Sequence, residues 1–321
     1  ASGGGTAGAT TKPRPSAMTA SGRTTSAAPA AATPFTPTTA GTRWTTTPPT
    51  APTAAPSSKT HPSTTPYYKP RPIFYGDDPR YFGVELEIDD GGECDSSAEA
   101  LMDITNQSKT LAYCKHDGSL DDGFEIVTHP MSLDCQLHEM PWAEVLDTAV
   151  NMGYLSHQAG TCGLHIHVSR RAFGDTLDAQ DNAIARVLFF VERHWAELLR
   201  FSRRTQRQLE QWAARYGYCD QPHEMLEHVK KGRGSRYTCV NLTNCDTIEF
   251  RMFRGTLKLN TFIATLQMVN HICDAAIFLS DELHDLSWSG FVSGITEPEL
   301  MQYLKERNLY VNEPVAGEGE V

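Results

Sequence analysis

Two histidines, His165 and His167, stand one residue apart in the short apolar stretch GLHIH. In a β-strand successive side chains point to opposite faces, so the two imidazoles would share one face while Leu164 and Ile166 share the other. An imidazole can bind a metal ion, transfer a proton or hold a neighbouring group by a hydrogen bond. The stretch therefore predicts a strand with one chemically capable face.

Three more segments show the same division into a polar and an apolar face. YFGVELEID and TIEFRMFRG alternate as strands do, and FEIVTHP is a short strand after the turn-rich segment HDGSLDDG. Each motif alone is typical of a solvent-exposed strand face or of a structural histidine pair. A face that only contacts water would favour Lys, Thr, Ser and Gln, so the four together predict a metal site. The polar faces supply Glu85, Glu87, Asp117, Glu125, His165, His167, Glu249 and Arg251.

The ligand types indicate which metal this site would bind. Oxygen ligands dominate, with one or two imidazoles, which suits Mg²⁺ or Mn²⁺ better than a structural zinc ion. Glu85 and Glu87 on one strand face would repel each other, and a divalent cation would relieve that repulsion. Arg251 adds a planar donor group that matches phosphate or carboxylate. Carboxylate-bound metal ions together with an arginine are typical of phosphoryl transfer.

The composition divides the 321 residues into two parts. Residues 1–66 are rich in Thr, Ala, Pro, Ser and Gly, so we expect a disordered tail, with a glycosylated stalk as the alternative. The tail has five basic residues and no acid, which leaves residues 67–321 with 23 basic and 39 acidic residues, a balance of −16. We expect this second part to be the catalytic domain. Its acidity argues against broad nucleic-acid binding.

The cysteines and the hydropathy pattern bear on the compartment. Eight cysteines are scattered along the chain with no CxxC pair, which argues against a zinc ribbon or a dense disulfide framework. Reduced thiols in a cytoplasmic protein are the expectation. No run of about 18 apolar residues and no apolar signal-peptide core appear, so no membrane association is expected.

The order of the predicted elements indicates the fold class. Helices are predicted over residues 140–153, 181–201, 203–217 and 297–305, with a further helix capped by Asn260. The segment RYTCVNLTN adds a fifth strand. Strands and helices do not alternate regularly, so an α+β fold is favoured over a doubly wound sheet.

The strand motifs, taken in order, resemble a known family. YFGVELEID, DGSL followed by GFEIVTHP, CGLHIHV, and RYTCVNL followed by TIEFRMFRGT are similar to the successive motifs of the amidoligases. These are distant relatives of glutamine synthetase and glutamate–cysteine ligase, and the resemblance covers residues 80–273. It implies a curved antiparallel sheet with helices on its outer face, and a concave face that holds ATP and two or three divalent metal ions. It also implies that ATP phosphorylates a carboxylate and that an amine then displaces the acyl phosphate.

The same resemblance implies a role for individual residues. Metal ligands would be Glu85, Glu87, Asp117, Glu125, His165 and Glu249. Catalytic residues would be Arg251 beside the transferred phosphoryl group, His167 near substrate or phosphate, and Arg254. Cofactor-binding residues would be Arg236, Asn241 and Arg203. Strand alternation places Arg254 on the apolar face unless the strand ends or bulges before Gly255. The basic loop at 230–236 would close over phosphates or be a flexible surface turn.

Other functions remain open at this level. A metallohydrolase or a cupin-like oxidase would also use two imidazoles and an acid, but it would need a third imidazole or a second clustered motif, and His116 and His129 are the nearby candidates. A non-catalytic nucleotide-binding descendant is a further alternative. As a ligase, the protein would act on a small-molecule or peptide carboxylate and an amine, and related folds often assemble into homo-oligomers.

Overall fold

The computed structural model describes residues 69–231, 236–279 and 282–310. The predicted disordered tail, residues 1–66, lies outside the described residues, as does most of the predicted phosphate-covering loop at 230–236. The described residues all lie in the predicted catalytic domain, residues 67–321.

One antiparallel sheet organises this part of the chain. Its strands are β1 (Phe82–Ile88), β2 (Ala112–Lys115), β3 (Phe124–Thr128), β4 (Gly163–Ser169), β5 (Val240–Asn241) and β6 (Thr247–Arg254). They pair in the order β2-β3-β1-β4-β6-β5, and every pairing is antiparallel. The strand β1 therefore occupies the interior of the sheet, between β3 and β4. The predicted α+β class with an antiparallel sheet is confirmed.

Helices fill the connections between these strands. The α-helices are α1 (Asp95–Thr105), α2 (Leu133–His138), α3 (Trp142–Asn151), α4 (Leu177–Arg193), α5 (Trp195–Ser202), α6 (Gln206–Trp212), α7 (Pro222–Lys231), α8 (Leu259–Phe278), α9 (Trp288–Ser293) and α10 (Pro298–Glu306). A 3₁₀ helix, Arg170–Phe173, follows β4. The predicted helices at 140–153 and 297–305 are confirmed as α3 and α10.

Three helix predictions need correction. The helix predicted over 203–217 is the shorter α6, which ends at Trp212 with Ala213 as its C-cap. The long helix over 181–201 is two helices, because α4 ends and α5 begins at His194, whose backbone leaves helical geometry. The helix α8 begins at Leu259 with Lys258 as its N-cap, so Asn260 is not the cap. The Asn260 amide instead donates to the carbonyl of Glu299, which ties α8 to α10.

The apolar faces of the strands build the core. Alternate β1 residues Phe82, Val84, Leu86 and Ile88 are at most 1% exposed, and they pack in one continuous cluster with the helices. Burying each such side chain contributes about 1.5–3 kcal/mol relative to leaving it exposed. This apolar layer holds the sheet rigidly and leaves its opposite face for polar side chains.

The helix α8 is unusually apolar. Among the described residues it is the one helix whose length and mean hydropathy of 1.2 would allow it to cross a membrane, and 67% of that segment is buried inside the protein. The core helix of a globular domain has the same length and composition. The expected absence of membrane association stays a prediction.

A β-bulge in β6 changes which way its last residues point. Ile166 of β4 pairs with Phe250, whereas Leu164 pairs with Phe253, so β6 has one extra residue at this place. An extra residue reverses the alternation beyond it. Arg254 consequently pairs with Gly163, on the same face as His165, and the apolar-face alternative for Arg254 is wrong.

Candidate functional site

The polar face of the sheet is assembled by strand pairing around β1. Glu85 lies opposite His165 of β4, and Glu87 lies opposite Glu125 of β3. Side chains of directly opposite residues lie about 4.5–5.5 Å apart at Cβ, which brings their polar ends together. The register thus joins residues that are far apart in the sequence into one surface.

The six residues predicted to bind metal form two groups of three. In each group one ligand atom per residue lies within 4.8 Å of the others. Ligands about 2.0–2.6 Å from a common ion would be spaced in this way. The histidine cluster consists of Glu85, His165 and Glu249, and the acidic cluster consists of Glu87, Asp117 and Glu125.

The imidazole of His165 lies between the two clusters. Its Nδ1 is 3.5 Å from Glu85 Oε2 and 3.8 Å from Glu249 Oε1, while its Nε2 is 3.6 Å from Glu87 Oε1. The ring is 3% exposed, and Nδ1 finds no hydrogen-bond partner among the described residues. An unpartnered buried nitrogen facing two carboxylates has the chemistry of a metal ligand, so the residues present fit a divalent cation.

Opposite charges stabilise the histidine cluster. Burial opposes ionisation of Glu85, but the charge of His167 and the polar contacts of both imidazoles hold its pKa well below the usual range. Burial likewise opposes the charged form of His167, and Glu85 and Glu249 nevertheless raise its pKa. His167 Nε2 lies 3.4 Å from Glu85 Oε1. The raised pKa favours the imidazolium form of His167, which can hold or release a proton at this face.

The acidic cluster lacks an imidazole, and the pKa values of two of its carboxyl groups are shifted in opposite directions. Burial, the charge of Glu85 and the hydrogen bond with Asp117 raise the pKa of Glu125 to about 10, although the charge of Lys115 opposes this. Burial opposes ionisation of Asp117, but hydrogen bonds from Glu125 and Ser119 lower its pKa to about 2. These shifts favour a proton on Glu125 over one on Asp117. A bound cation would take the place of that proton.

Lys115 is a site residue that the sequence analysis missed. Its Nζ lies 2.6 Å from Glu125 Oε2 and 3.8 Å from Glu85 Oε1, so it faces both clusters. It is the last residue of the four-residue strand β2 and pairs with Glu125. Its ammonium offsets part of the negative charge of the clusters.

A polar network fixes Glu249. The Asn241 amide donates to Glu249 Oε2 over 2.7 Å, and Asn244 donates to the same oxygen over 3.2 Å. Arg251 Nη1 donates to Glu249 Oε1. Asn241, a predicted cofactor-binding residue, therefore positions a predicted metal ligand. The buried Nε of Arg251 finds no partner among the described residues, which leaves a donor for another group.

Arg236 lies at the rim of this face. Its guanidinium donates to the Tyr237 hydroxyl over 2.7 Å and lies 4.8 Å from the centre of that ring. The hydrogen bond with Tyr237 raises its pKa, and the charges of Asp117 and Glu249 act in the same direction. Arg236 is thus within electrostatic reach of both clusters without contacting either.

The predicted arginine Arg203 does not reach the clusters, whereas its neighbour Arg204 does. Arg203 ends α5 in the left-handed conformation, with φ 63°, and turns toward a cavity that it lines with Arg254 and that no cluster residue lines. A Cβ on Gly163 would lie 2.7 Å from Arg204 Nη2 and 2.5 Å from His165 Nε2. The absent side chain at Gly163 makes room for both groups. Burial lowers the pKa of Arg204 to about 10, although Glu87 opposes this.

Asp89 anchors the loop that carries Asp117. It is 1% exposed, and its carboxylate accepts hydrogen bonds from the backbone of Asp122 at 2.6 Å, from the backbone of Asp121 at 3.1 Å and from the Thr161 hydroxyl at 2.8 Å. Sequence alternation does not identify this role, because Asp89 lies beyond the end of β1.

The third imidazole that a metallohydrolase would need is missing from the clusters in the described part of the chain. His116 Nδ1 lies 2.5 Å from Glu93, and His129 packs beside Tyr113, where its Nδ1 accepts from the backbone of Ile73. Both histidines are occupied elsewhere.

Comparison with protein families and curated proteins assigns no function to this site. No protein-family model matches the chain, and no curated protein matches it significantly.

Proposed function

We propose that this protein is an ATP-dependent carboxylate–amine ligase with a glutamine synthetase-like site, and that it forms an amide or peptide-type bond through an acyl phosphate. The observation that carries the proposal is the pair of three-ligand clusters on either side of His165. Two adjacent cation sites beside arginines suit a triphosphate whose γ-phosphoryl group is to be transferred.

The two clusters would divide the metal binding between them. The histidine cluster would hold one divalent ion through Glu85, His165 and Glu249, and the acidic cluster would hold another through Glu87, Asp117 and Glu125. When bound, Mg²⁺ or Mn²⁺ would neutralise phosphate oxygens of ATP.

The chain's own residues would then guide the transfer. A carboxylate oxygen of the substrate attacks the γ-phosphorus and ADP leaves. The amine nitrogen then attacks the acyl carbon, releasing phosphate and losing one proton. Arg251, held by Glu249, would present its planar donors to the phosphoryl group, and the imidazolium of His167 would donate to the same oxygens. Arg204 adds a buried positive charge beside Gly163.

The fold and charge are consistent with this proposal. A bulged antiparallel sheet with one apolar and one polar face is compatible with the curved sheet that the resemblance implies. The acidic balance favours cation-bound small molecules or peptides over nucleic acid as partners. A cytoplasmic location, a lack of membrane association and homo-oligomer formation belong to the same proposal.

The test is ATP turnover by the full chain with Mg²⁺ or Mn²⁺, against pooled carboxylates and amines. We expect release of ADP and phosphate that requires both a carboxylate and an amine, with a new amide detected by mass spectrometry. The Glu249→Gln variant should be inactive, and Glu210→Gln on the exposed side of α6 should match the unaltered protein. Metal-dependent hydrolysis without ATP consumption would replace the ligase with the hydrolase alternative.

A further inference from the structure

A cavity of about 820 Å³ lies beyond the end of β6, at the starts and ends of several helices. Its wall includes Arg203 after α5, Arg254 at the end of β6, Lys258 before α8 and Arg307 after α10. No residue of either metal-ligand cluster lines it. The cavity is therefore distinct from the two metal-ligand clusters, although Arg254, which lines it, lies on the polar face of the sheet.

Positive charge dominates this wall. Four lining side chains are cationic and one, Glu306, is anionic. Lys258 Nζ lies 3.2 Å from Glu306 Oε2, so the charges of these two side chains compensate each other. The three arginines have no carboxylate within ion-pair distance among the residues that the structure describes. A net positive lining stands out in a chain whose formal charge is −11.

The hydrogen bonds of these arginines use neutral acceptors. Arg203 donates to His157 Nδ1 over 3.0 Å and to the carbonyls of Gly255 and Arg254. Arg307 donates to the carbonyl of Arg200 over 2.8 and 3.1 Å. Such bonds orient the guanidinium groups but leave their charges uncompensated.

Arg254 is the least satisfied of the three. Its Nε is buried and finds no hydrogen-bond partner in the described part of the chain. Burial lowers the pKa of His157, and the charges of Arg254, Arg203 and Arg307 lower it further. All three guanidinium groups therefore act on the same side chain in the cavity wall. Like charges gathered around a cavity repel one another, and an anion bound between them would reverse that effect.

We propose that this cavity binds a small molecule through an oxyanion, a carboxylate or a phosphate, held by Arg203, Arg254 and Arg307. Guanidinium groups bind both oxyanions through paired hydrogen bonds. Tyr154 and Leu257 supply apolar wall that would contact the remainder of the molecule. This site goes beyond the proposed ligase centre, since it requires neither ATP nor metal.

The test is isothermal titration of the full chain with inorganic phosphate and, separately, with succinate, in EDTA and low salt. We expect one oxyanion per chain and an affinity that falls with added salt. The stronger probe shows whether the site prefers phosphate or carboxylate. Arg307→Gln should weaken binding about tenfold or more, because a charge-assisted hydrogen bond is lost. Arg254→Gln should do the same, with melting temperature measured to show that each variant is folded.

Arg171→Gln is the matched control, since Arg171 is exposed in the 3₁₀ helix beyond the other end of β4. It should bind as the unaltered protein does. Failure of both probes to bind the unaltered chain would overturn the proposal, as would equal weakening in Arg307→Gln and Arg171→Gln. Neither result would bear on the ligase proposal, because ATP and divalent metal are absent from the titration.

Discussion

The two metal-ligand clusters share one sheet face but reach electrical balance in different ways. The histidine cluster places Glu85 beside His167 and Glu249 beside Arg251, which favours the ionised form of both carboxylates. The acidic cluster has no imidazole, and the pKa of Glu125 is raised to about 10 while that of Asp117 is lowered to about 2. The histidine cluster thus favours ionised ligands, whereas the acidic cluster favours a proton on Glu125 that a bound cation would displace.

Their supports differ as well. The three ligands of the histidine cluster all come from strands, β1, β4 and β6. The acidic cluster takes Asp117 from a loop that Asp89 holds by hydrogen bonds. We infer that the histidine cluster is the more rigid site, and that the acidic cluster depends on residues outside the sheet.

The largest effect should come from Arg251, which joins the histidine cluster to the proposed phosphoryl group. Arg251→Lys keeps the charge but loses the planar fork. Because contacts made mainly in the transition state lower turnover when removed, we expect turnover to fall about 10³-fold. Mg·ATP affinity should change only a few-fold. Phosphate release and isothermal titration measure the two quantities.

Near-normal turnover in Arg251→Lys would remove this residue from the catalytic site. Loss of ATP binding together with turnover would make it a substrate clamp. Arg193→Lys, at an exposed position at the end of α4, is the control for an Arg-to-Lys change away from the clusters.

Selective metal loss is the next largest effect. His165→Ala should weaken Mn²⁺ binding at the histidine cluster at least about tenfold, and Glu125→Gln should do so at the acidic cluster. A two-step Mn²⁺ titration followed by electron paramagnetic resonance would separate the sites. If both variants lose the same step of the titration, the two clusters form one metal site and not two.

Strand alternation predicts a large part of this site. It puts Glu85 with Glu87, His165 with His167 and Glu249 with Arg251 on one face of each strand, because period 2 is a property of the backbone and needs no partner strand. It cannot detect the bulge that turns Arg254, since a bulge exists only relative to a paired strand.

Other features depend on the folded context. Arg203 and Arg204 are adjacent residues of the same type, so the sequence does not distinguish them. The left-handed backbone conformation at Arg203 directs its side chain away from the clusters. The strand β2, which positions Lys115, is four residues long and too short for a periodic signal. The helix break at His194 involves neither Gly nor Pro, so the residue types there do not predict it.

The free energy of unfolding without metal should differ between variants of the two clusters. Glu85→Gln removes an ionised carboxylate from two histidines and should destabilise the protein by roughly 1–3 kcal/mol. The raised pKa of Glu125 favours its protonated form, which Glu125→Gln resembles in charge, so we expect its effect to stay within about 1 kcal/mol. Urea unfolding in EDTA compares the two variants. Equal destabilisation would mean that Glu125 is ionised in the absence of metal.

The smallest expected effect is on the pH dependence of stability, through Asp89, which anchors the loop that carries Asp117. Burial opposes ionisation of Asp89, but its backbone and Thr161 hydrogen bonds hold its pKa below the usual value. Its stabilising contribution is therefore present above the unfolded pKa of about 3.9 and is lost as pH falls through the lower folded pKa. Asp89→Asn should flatten the acid side of the stability profile. Asp89→Asn should also weaken Mn²⁺ binding at the acidic cluster more than Mn²⁺ binding at the histidine cluster. An unchanged profile would exclude Asp89 as the anchor.

The position of bound Mn²⁺ would show whether the two clusters are metal sites. Anomalous diffraction from crystals of the protein grown with Mn²⁺ and a non-hydrolysable ATP analogue would locate each ion. We expect two peaks on the polar face, one among Glu85, His165 and Glu249 and one among Glu87, Asp117 and Glu125. Absence of both peaks from that face, with the crystals saturated in Mn²⁺, would contradict this prediction.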